Sequence, residues 1–301
     1  MKEKLEKTKY GLNRGNLKMI ALFCMTLDHI AGVLLQSIAD GINPESFGHT
    51  WLTVLIFFLR FIGRLAFPIF CFFIVEGVFH TRNIFLYALR LFLLALISEV
   101  PYDMAENHTY FWSEGGNVFW TLLLGMLTVY CMDGIFTRFK CHKALKYIAA
   151  GIVFALPVVT ESFIQTDYGI YGILAIVVIY LISKGKYTFA IILNVTGFIA
   201  GYIAEKDFSI ASAILLLMGI IVSAGLIFVS RSIIHTDSRK MFVSCAVLTG
   251  MSVFEASAFA NVFLMQFYNG QKGRKIGWLF YIYYPAHLAA LAGLCMLFKI
   301  Y

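Results

Sequence analysis

Charged residues are scarce in this chain. They make up 14% of its 301 residues, whereas hydrophobic residues make up 60% and the mean hydropathy is +0.80. A soluble domain has about half apolar and a quarter charged residues. The composition therefore excludes a soluble globular fold and predicts an all-α polytopic membrane protein with about ten transmembrane helices in one bundle. We expect a single domain over residues 1–301, with residues 1–16 as a cytoplasmic tail and the lipid bilayer as a partner.

Sequence motifs for several common chemistries are also absent. None of the six cysteines belongs to a CxxC pair, so neither a disulfide framework nor a metal site is expected. The chain has no helical pair of histidines with a glutamate, no EF-hand, no P-loop and no GxGxxG signature, which argues against metal hydrolysis and nucleotide-driven transport. No long basic patch with interleaved aromatic residues lies outside the apolar runs, so no nucleic-acid partner is expected.

The net charge of +7 is spread over short loops and the N-terminal segment. Six basic residues within residues 1–18 predict a cytoplasmic N-terminus. The last third of the chain departs from this rule, because a ninth span at 241–268 would put the basic loop 269–275 outside. Either that span is re-entrant, or the basic residues of the loop serve a function that overrides the topology bias.

The predicted first span, residues 17–38, carries Asp28 and His29 in its middle. A carboxylate at that depth costs roughly 2.5–3.5 kcal/mol and so needs a partner or a function. Histidine can exchange a proton near neutral pH, and we expect His29 to be the reactive group. Neighbouring residues on a helix point in different directions, so Asp28 is expected to anchor another helix. The alternative is a polar pair that only holds helices together.

The other predicted spans follow from apolar runs and their breaks. We expect a short interfacial or re-entrant helix to about Leu59, a second span from about Phe61 with a kink at Pro68, and a third span that ends at Pro101. The third and later spans are predicted at 84–100, 117–132, 147–163, 170–183, 187–204, 208–228, 241–268 and 277–298.

Unusual polar residues concentrate in the outer halves of these spans, which predicts a pocket lined by the bundle. They are His29, Arg60, Arg64, Glu99, Asn117, Asp167 and His287. The two histidines are candidate general bases, and the two arginines share a helical face that could hold an anion or stabilise an oxyanion.

Structural roles for the same residues stay open. Arg64 could form an ion pair with Asp28 or Glu76, and Arg90 could form one with Glu99. Asp167 could cap the sixth span.

Several segments resemble the TraX family when taken in order. They include LKMIALFCMTLDHIAG, LRFIGRLAFPIFCFFIVEG, ALRLFLLALISEVPYD, NVFWTLLLG, DYGIYGILAI, YNGQKG and FYIYYPAHL. This bacterial family is named for a conjugation-linked protein that acetylates the amino terminus of pilin, and it is similar to the integral-membrane acyltransferases. The resemblance implies acetyl transfer from acetyl-CoA to an unidentified amine or hydroxyl of a peptide, glycan or small molecule.

The resemblance also implies a location in the bacterial inner membrane. Our hypothesis for the mechanism gives roles to individual residues. His29 would act as the general base, Arg64 or Asn117 would stabilise the oxyanion, and His287 would be a second base or a partner of Asp28. Further binding residues would be Arg60, Glu99, Asp167, Tyr168 and Tyr284, with Lys272, Arg274 and Lys275 on the phosphates of CoA. A transporter or channel that uses the same charges is the alternative function, and a flippase or a structural partner in an export machine is a third.

Overall fold

The computed structural model describes residues 11–110, 115–204, 260–274 and 277–298, with single positions between 217 and 258. Its described part is helical and contains no β-strand, only two isolated bridges. The helices are α1 Arg14–His29, which continues through a π-helical segment, Ile30–Leu35, into α2 Gln36–Asp40; α3 Phe47–Gly63; α4 Ala66–His80; α5 Ile84–Glu106; α6 Val118–Arg138; α7 Lys143–Ile164; α8 Gly169–Ser183; α9 Tyr187–Ala204; α10 Ala260–Gln266; and α11 Gly277–Phe298.

Six helical stretches among the described residues are long and apolar enough to cross a membrane, and α8 and α9 are shorter apolar helices. The six are Arg14–Asp40, Phe47–His80, Ile84–Glu106, Val118–Arg138, Lys143–Ile164 and Gly277–Phe298. They indicate a multi-pass membrane protein, as the hydropathy predicts. The predicted total of about ten spans is not confirmed. The predicted span at 208–228, and the predicted span at 241–268 up to residue 259, lie outside the described residues except for single positions.

Short polar side chains mark the beginnings of four helices. Each accepts a hydrogen bond from a backbone N–H of the first turn, which would otherwise lack a partner. The capping residues are Asn13 before α1, Ser46 before α3, Asn83 before α5 and Asn117 before α6.

The breaks in two predicted spans fall elsewhere than expected. The break in the second stretch comes after Gly63, four residues later than the predicted boundary at Leu59. Pro68 lies in the first turn of α4, where backbone N–H groups have no partner within the helix. The proline therefore costs no helical hydrogen bond and does not kink the middle of the span. Pro101 does not end α5, which continues to Glu106, because a proline inside a membrane helix is tolerated when its neighbours support it.

Two hydrophobic cores share helix α4. One surrounds α8, whose residues are almost all buried against α4, α6, α7 and α9. The other joins α1, α4, α10 and α11. Phe70 packs against both cores, so the seam between them runs along α4.

The start of the described chain lies against the loop that follows α10. Leu12 donates its backbone N–H to the carbonyl of Phe267 at 2.8 Å and accepts from Asn269 at 3.0 Å, and the N–H of Arg14 donates to Gln271 at 2.8 Å. The basic loop after α10 therefore lies at the same end of the bundle as the start of α1. The loop and the start of α1 are therefore expected on the same side of the membrane, and not on opposite sides as simple span counting predicts.

Candidate functional site

A cavity of about 270 Å³ lies between α1, α3, α4, α5, α6 and α11. Seven residues predicted from the sequence line it: Asp28, His29, Arg60, Arg64, Asp167, Tyr168 and Tyr284. These residues come from four separate parts of the chain. The structure therefore brings seven of the predicted site residues together around one cavity.

The two predicted histidines form a direct pair. Nδ1 of His29 lies 2.7 Å from Nε2 of His287, and the rings stack with their centroids 4.9 Å apart. Nδ1 of His287 lies 2.8 Å from the carbonyl oxygen of Tyr283, which can only accept, so that nitrogen carries a hydrogen. His287 in its neutral form then offers a bare Nε2, and Nδ1 of His29 must donate to it. His287 is thus the partner of His29 and not of Asp28.

A second hydrogen bond joins the same two helices one turn away. The hydroxyl of Thr26 donates to the carbonyl of Leu22 at 2.8 Å, so the hydroxyl of Tyr283 is the donor in its 2.7 Å contact with Thr26. The ring of Tyr283 also stacks on His287 at 5.0 Å. Two polar contacts at helical spacing fix α1 against α11 and hold the histidine pair in place.

Asp28 is held against α3 by two glycines and one arginine. Its Oδ1 lies 3.8 Å from Nε of Arg60, and a Cβ on Gly63 would come within 2.6 Å of the same oxygen. The guanidinium of Arg60 in turn lies over Gly32, where a Cβ would meet Nη1 at 3.0 Å. Gly32 belongs to the π-helical segment that directly follows His29, and such segments often occur at functional sites. Asp28 therefore forms an ion pair with Arg60, and the charge of Arg64, the partner predicted from the sequence, also acts on its carboxylate.

The turn between α7 and α8 supplies the far wall of the cavity. The ring of Tyr168 stacks on Phe67 with centroids 3.5 Å apart, and its hydroxyl accepts from Nη1 of Arg64 at 3.4 Å. Loss of water around the carboxyl raises the pKa of Asp167 to about 6, while Arg64 opposes the rise and Asp28 adds to it. Asp167 is thus a cavity residue and does more than cap α8.

Two residues of the lining, Tyr102 and Glu106, were missed from the sequence. They lie on the part of α5 beyond Pro101, which was expected to be loop. Their spacing of four residues could have revealed them. If the helix continues beyond Pro101, that spacing places both side chains on one helical face.

Glu99 and Asn117, both predicted as site residues, lie outside the cavity lining. Oε2 of Glu99 accepts from the side-chain amide of Asn117 at 2.6 Å and from the indole N–H of Trp120 at 2.9 Å. The same amide donates to the carbonyl of Ala95 at 2.8 Å. These bonds join α5 to α6 in the interior. The suggested pairing of Glu99 with Arg90 is not formed.

The predicted CoA-phosphate residues do not reach the cavity. Lys272 and Arg274 are exposed in the loop beside the start of α1, and Lys275 lies outside the described residues. Glu76 also lies at that end, where it binds Arg14 at 2.6 Å and not Arg64.

Comparison with known proteins gives two matches. A family model described as TraX protein matches residues 13–234. The chain is also 27% identical over 284 residues to the "Probable fimbrial assembly protein FimC, serogroup H1" of Dichelobacter nodosus, a match that covers 91% of this chain and 92% of that protein. No solved structure matches.

These matches correct the predicted function. The chain was expected to transfer acetyl groups from acetyl-CoA, with a transporter or channel as the alternative, yet the similar curated protein is a fimbrial assembly protein. The acetyl-transfer prediction followed from the family resemblance, and the transporter alternative was drawn from the intramembrane charges. Asp28 and Arg60 now have each other as partners, so those charges do not by themselves require a reaction or a transport path.

Proposed function

Because the chain belongs to the TraX family, we propose that it is a membrane protein of fimbrial, or pilus, assembly whose cavity binds a polar group of another assembly component. The relative from Dichelobacter nodosus supports the pilus-related role through its name and through a match over almost the full length of both chains. The notion of a partner within an export machine, left open by the sequence, agrees with this role.

One observation carries the binding proposal. Among the described residues, the buried hydroxyl of Tyr284 makes no hydrogen bond, and Oδ1 of Asp28 has the charge of Arg60 at 3.8 Å but accepts no hydrogen bond; both residues line the cavity. Leaving such an atom unpaired costs about 1–3 kcal/mol. A ligand that donates to the carboxylate and pairs with the hydroxyl would recover that free energy.

His29 gives the cavity a directional acceptor. Its Nδ1 is occupied by His287, so the neutral ring has a bare Nε2 with which to take a hydrogen bond or a proton from a bound group. Arg60 and Arg64 add positive charge to the lining. The proposed ligand group is therefore polar, carries at least one donor hydrogen, and fits a volume of about 270 Å³.

The proposal includes a bacterial inner-membrane location with a cytoplasmic N-terminus. The proposed role in assembly requires only that the cavity bind this group. Catalysis, an acyl-CoA donor and a place among the integral-membrane acyltransferases stay predictions from the sequence.

The test deletes the gene in its host and scores surface fimbriae by electron microscopy and by the yield of sheared filaments. Wild type should restore the fimbriae. Asp28→Asn and Tyr284→Phe should fail to restore them, although both variants keep the shape of the side chain.

A matched control replaces a histidine outside the cavity. His49→Gln should restore the fimbriae fully, while His287→Gln should not. Membrane-fraction immunoblots and melting temperatures in detergent verify that each variant is present and folded. Normal fimbriae in the deletion strain would overturn the assembly role, and full restoration by folded Asp28→Asn would overturn the cavity's part in it.

A further inference from the structure

A second, basic pocket of about 450 Å³ lies toward the opposite end of α4 from the cavity. Phe70 lines the cavity and Phe73, one turn later, lines the basic pocket. The pocket is formed by the beginnings of α1, α5 and α11 and by the end of α4. It therefore lies near the membrane surface on the N-terminal side of the bundle.

Positive charge dominates the described lining of this pocket. Four cationic side chains, Arg14, Lys18, Arg82 and Arg90, face it, and no Asp or Glu is among the described lining residues. The nearest carboxylate, Glu76, accepts a 2.6 Å bond from Nη2 of Arg14. The charge balance of the pocket points to a missing anion.

Lys18 is held inside the pocket by aromatic rings. Its Nζ lies 5.3 Å from the ring centroid of Phe73 and 5.4 Å from that of Phe280. These cation–π contacts orient the ammonium but leave its three hydrogens for an acceptor. No ion pair of Lys18 is formed within the described part of the chain.

The pocket opens toward the bilayer. Leu86 and Arg90 on α5 are exposed, and their neighbours Phe85, Leu89 and Leu93 are exposed apolar residues of the kind that face lipid. Arg90 lies six residues into α5, about 9 Å below its first residue. This is the depth at which a lipid phosphate can meet a side chain that enters from the hydrocarbon layer.

We propose that the basic pocket binds a phosphate ester. Arginine and lysine side chains at a membrane surface suit phosphate oxygens, and the lateral opening favours the headgroup of an anionic phospholipid as its source. A soluble phosphate compound offers the same chemistry. The pocket shares no lining residue with the cavity, so this inference does not depend on the proposed function.

The test measures the melting temperature of the protein in three samples. These are nanodiscs of phosphatidylglycerol, nanodiscs of phosphatidylcholine, and nanodiscs of phosphatidylcholine with added pyrophosphate. Each cation near the surface contributes about 1 kcal/mol, so Lys18→Gln with Arg90→Gln should weaken retention of phosphatidylglycerol about 30-fold in native mass spectrometry. A shift with phosphatidylglycerol alone identifies the lipid source, and a shift with pyrophosphate identifies the soluble source.

The matched control also removes two positive charges, at a place outside the pocket that is expected on the same side of the membrane. Arg138→Gln with Lys140→Gln, at the exposed end of α6, should retain wild-type binding. If neither probe shifts the wild-type melting temperature, the proposal is overturned. Equal losses in the two double variants would also overturn it, because net charge rather than the pocket would then determine binding.

Discussion

His29 and His287 lie 258 residues apart in the chain, and a 2.7 Å hydrogen bond joins their rings. Such a bond requires one donor and one bare nitrogen, so the pair carries at most one positive charge. The carbonyl of Tyr283 fixes which nitrogen of His287 carries hydrogen and thereby sets the tautomer of His29.

The first prediction concerns that tautomer. In the neutral state both rings should carry hydrogen on Nδ1, which leaves Nε2 of His29 bare. Nitrogen spectra of protein labelled with ¹⁵N-histidine should show two rings of this form. His287→Phe removes the acceptor, so the signal of His29 should change, whereas His49→Gln should only delete its own signal. An Nε2–H tautomer at His29 in wild type would contradict the arrangement.

The second prediction concerns Gly63. A methyl group at this position would overlap Asp28, so Gly63→Ala should lower the free energy of unfolding by about 1–3 kcal/mol. Gly134→Ala in α6 is the control, because no atom lies within 4 Å of its Cβ position. That substitution should be neutral or stabilising by up to about 1 kcal/mol. Equal melting temperatures of the two variants would contradict the close approach of α1 and α3.

The third prediction concerns pH and Asp167, whose pKa is about 6 in the folded protein and about 4 in an unfolded chain. Between pH 4 and pH 6 the carboxyl of Asp167 is protonated in the folded protein and ionised in the unfolded chain. The stability that this protonation contributes is therefore fully present below about pH 4 and is lost as the pH rises through about 6. Asp167→Asn cannot lose a proton. The melting temperature of Asp167→Asn, taken relative to that of the wild type, should therefore rise by about 2–4 °C as the pH increases from 4.5 to 7.5. A difference that is constant with pH would contradict the shift.

The fourth prediction separates a structural from a chemical role for Asn117. Its side chain caps α6 and donates to Glu99, so Asn117→Ala should destabilise the protein by about 2–3 kcal/mol. Asn16→Ala, on the exposed face of α1, should change stability little. Thermal unfolding in detergent measures both. If Asn117→Ala abolished fimbriation at an unchanged melting temperature, a role in the site would replace the structural one.

The fifth prediction concerns membrane sides. In a cysteine-free protein, Lys272→Cys and Lys140→Cys should react with an impermeant maleimide from the same side, and Asp40→Cys should react from the other. The bonds between the start of α1 and the loop after α10 require this result. If Lys272→Cys and Asp40→Cys reacted from the same side, the loop after α10 would lie outside, as simple span counting predicts.

Local features of the helices were well predicted from the sequence. The predicted spans at 187–204 and 277–298 have the bounds of α9 and α11. The cavity was also predicted in outline, because an ionisable residue within an apolar helix must have a partner or a function. Asp28, His29, Arg60 and Arg64 met that condition on sequence alone.

Partner choice could not be predicted from the sequence. Whether His287 faced Asp28 or His29 depends on how α11 is rotated against α1, which the contact of Thr26 with Tyr283 decides. Tyr102 and Glu106 were missed because a proline was expected to end a helix that its neighbours sustain. Glu99 and Asn117 lie at a suitable depth but face the α5–α6 contact, since depth in a membrane says nothing about direction around a helix.

The bonds that join the first and last helices set the order in which the cavity can form. At about 5–20 residues per second, synthesis needs roughly 15–50 s to proceed from His29 to its partner 258 residues later. Throughout that interval α1 is in the membrane without α11 to cover it. The newborn protein therefore passes through a stage in which its most polar helix is incompletely shielded, and a chain cut short before α11 would be a natural substrate for membrane quality control.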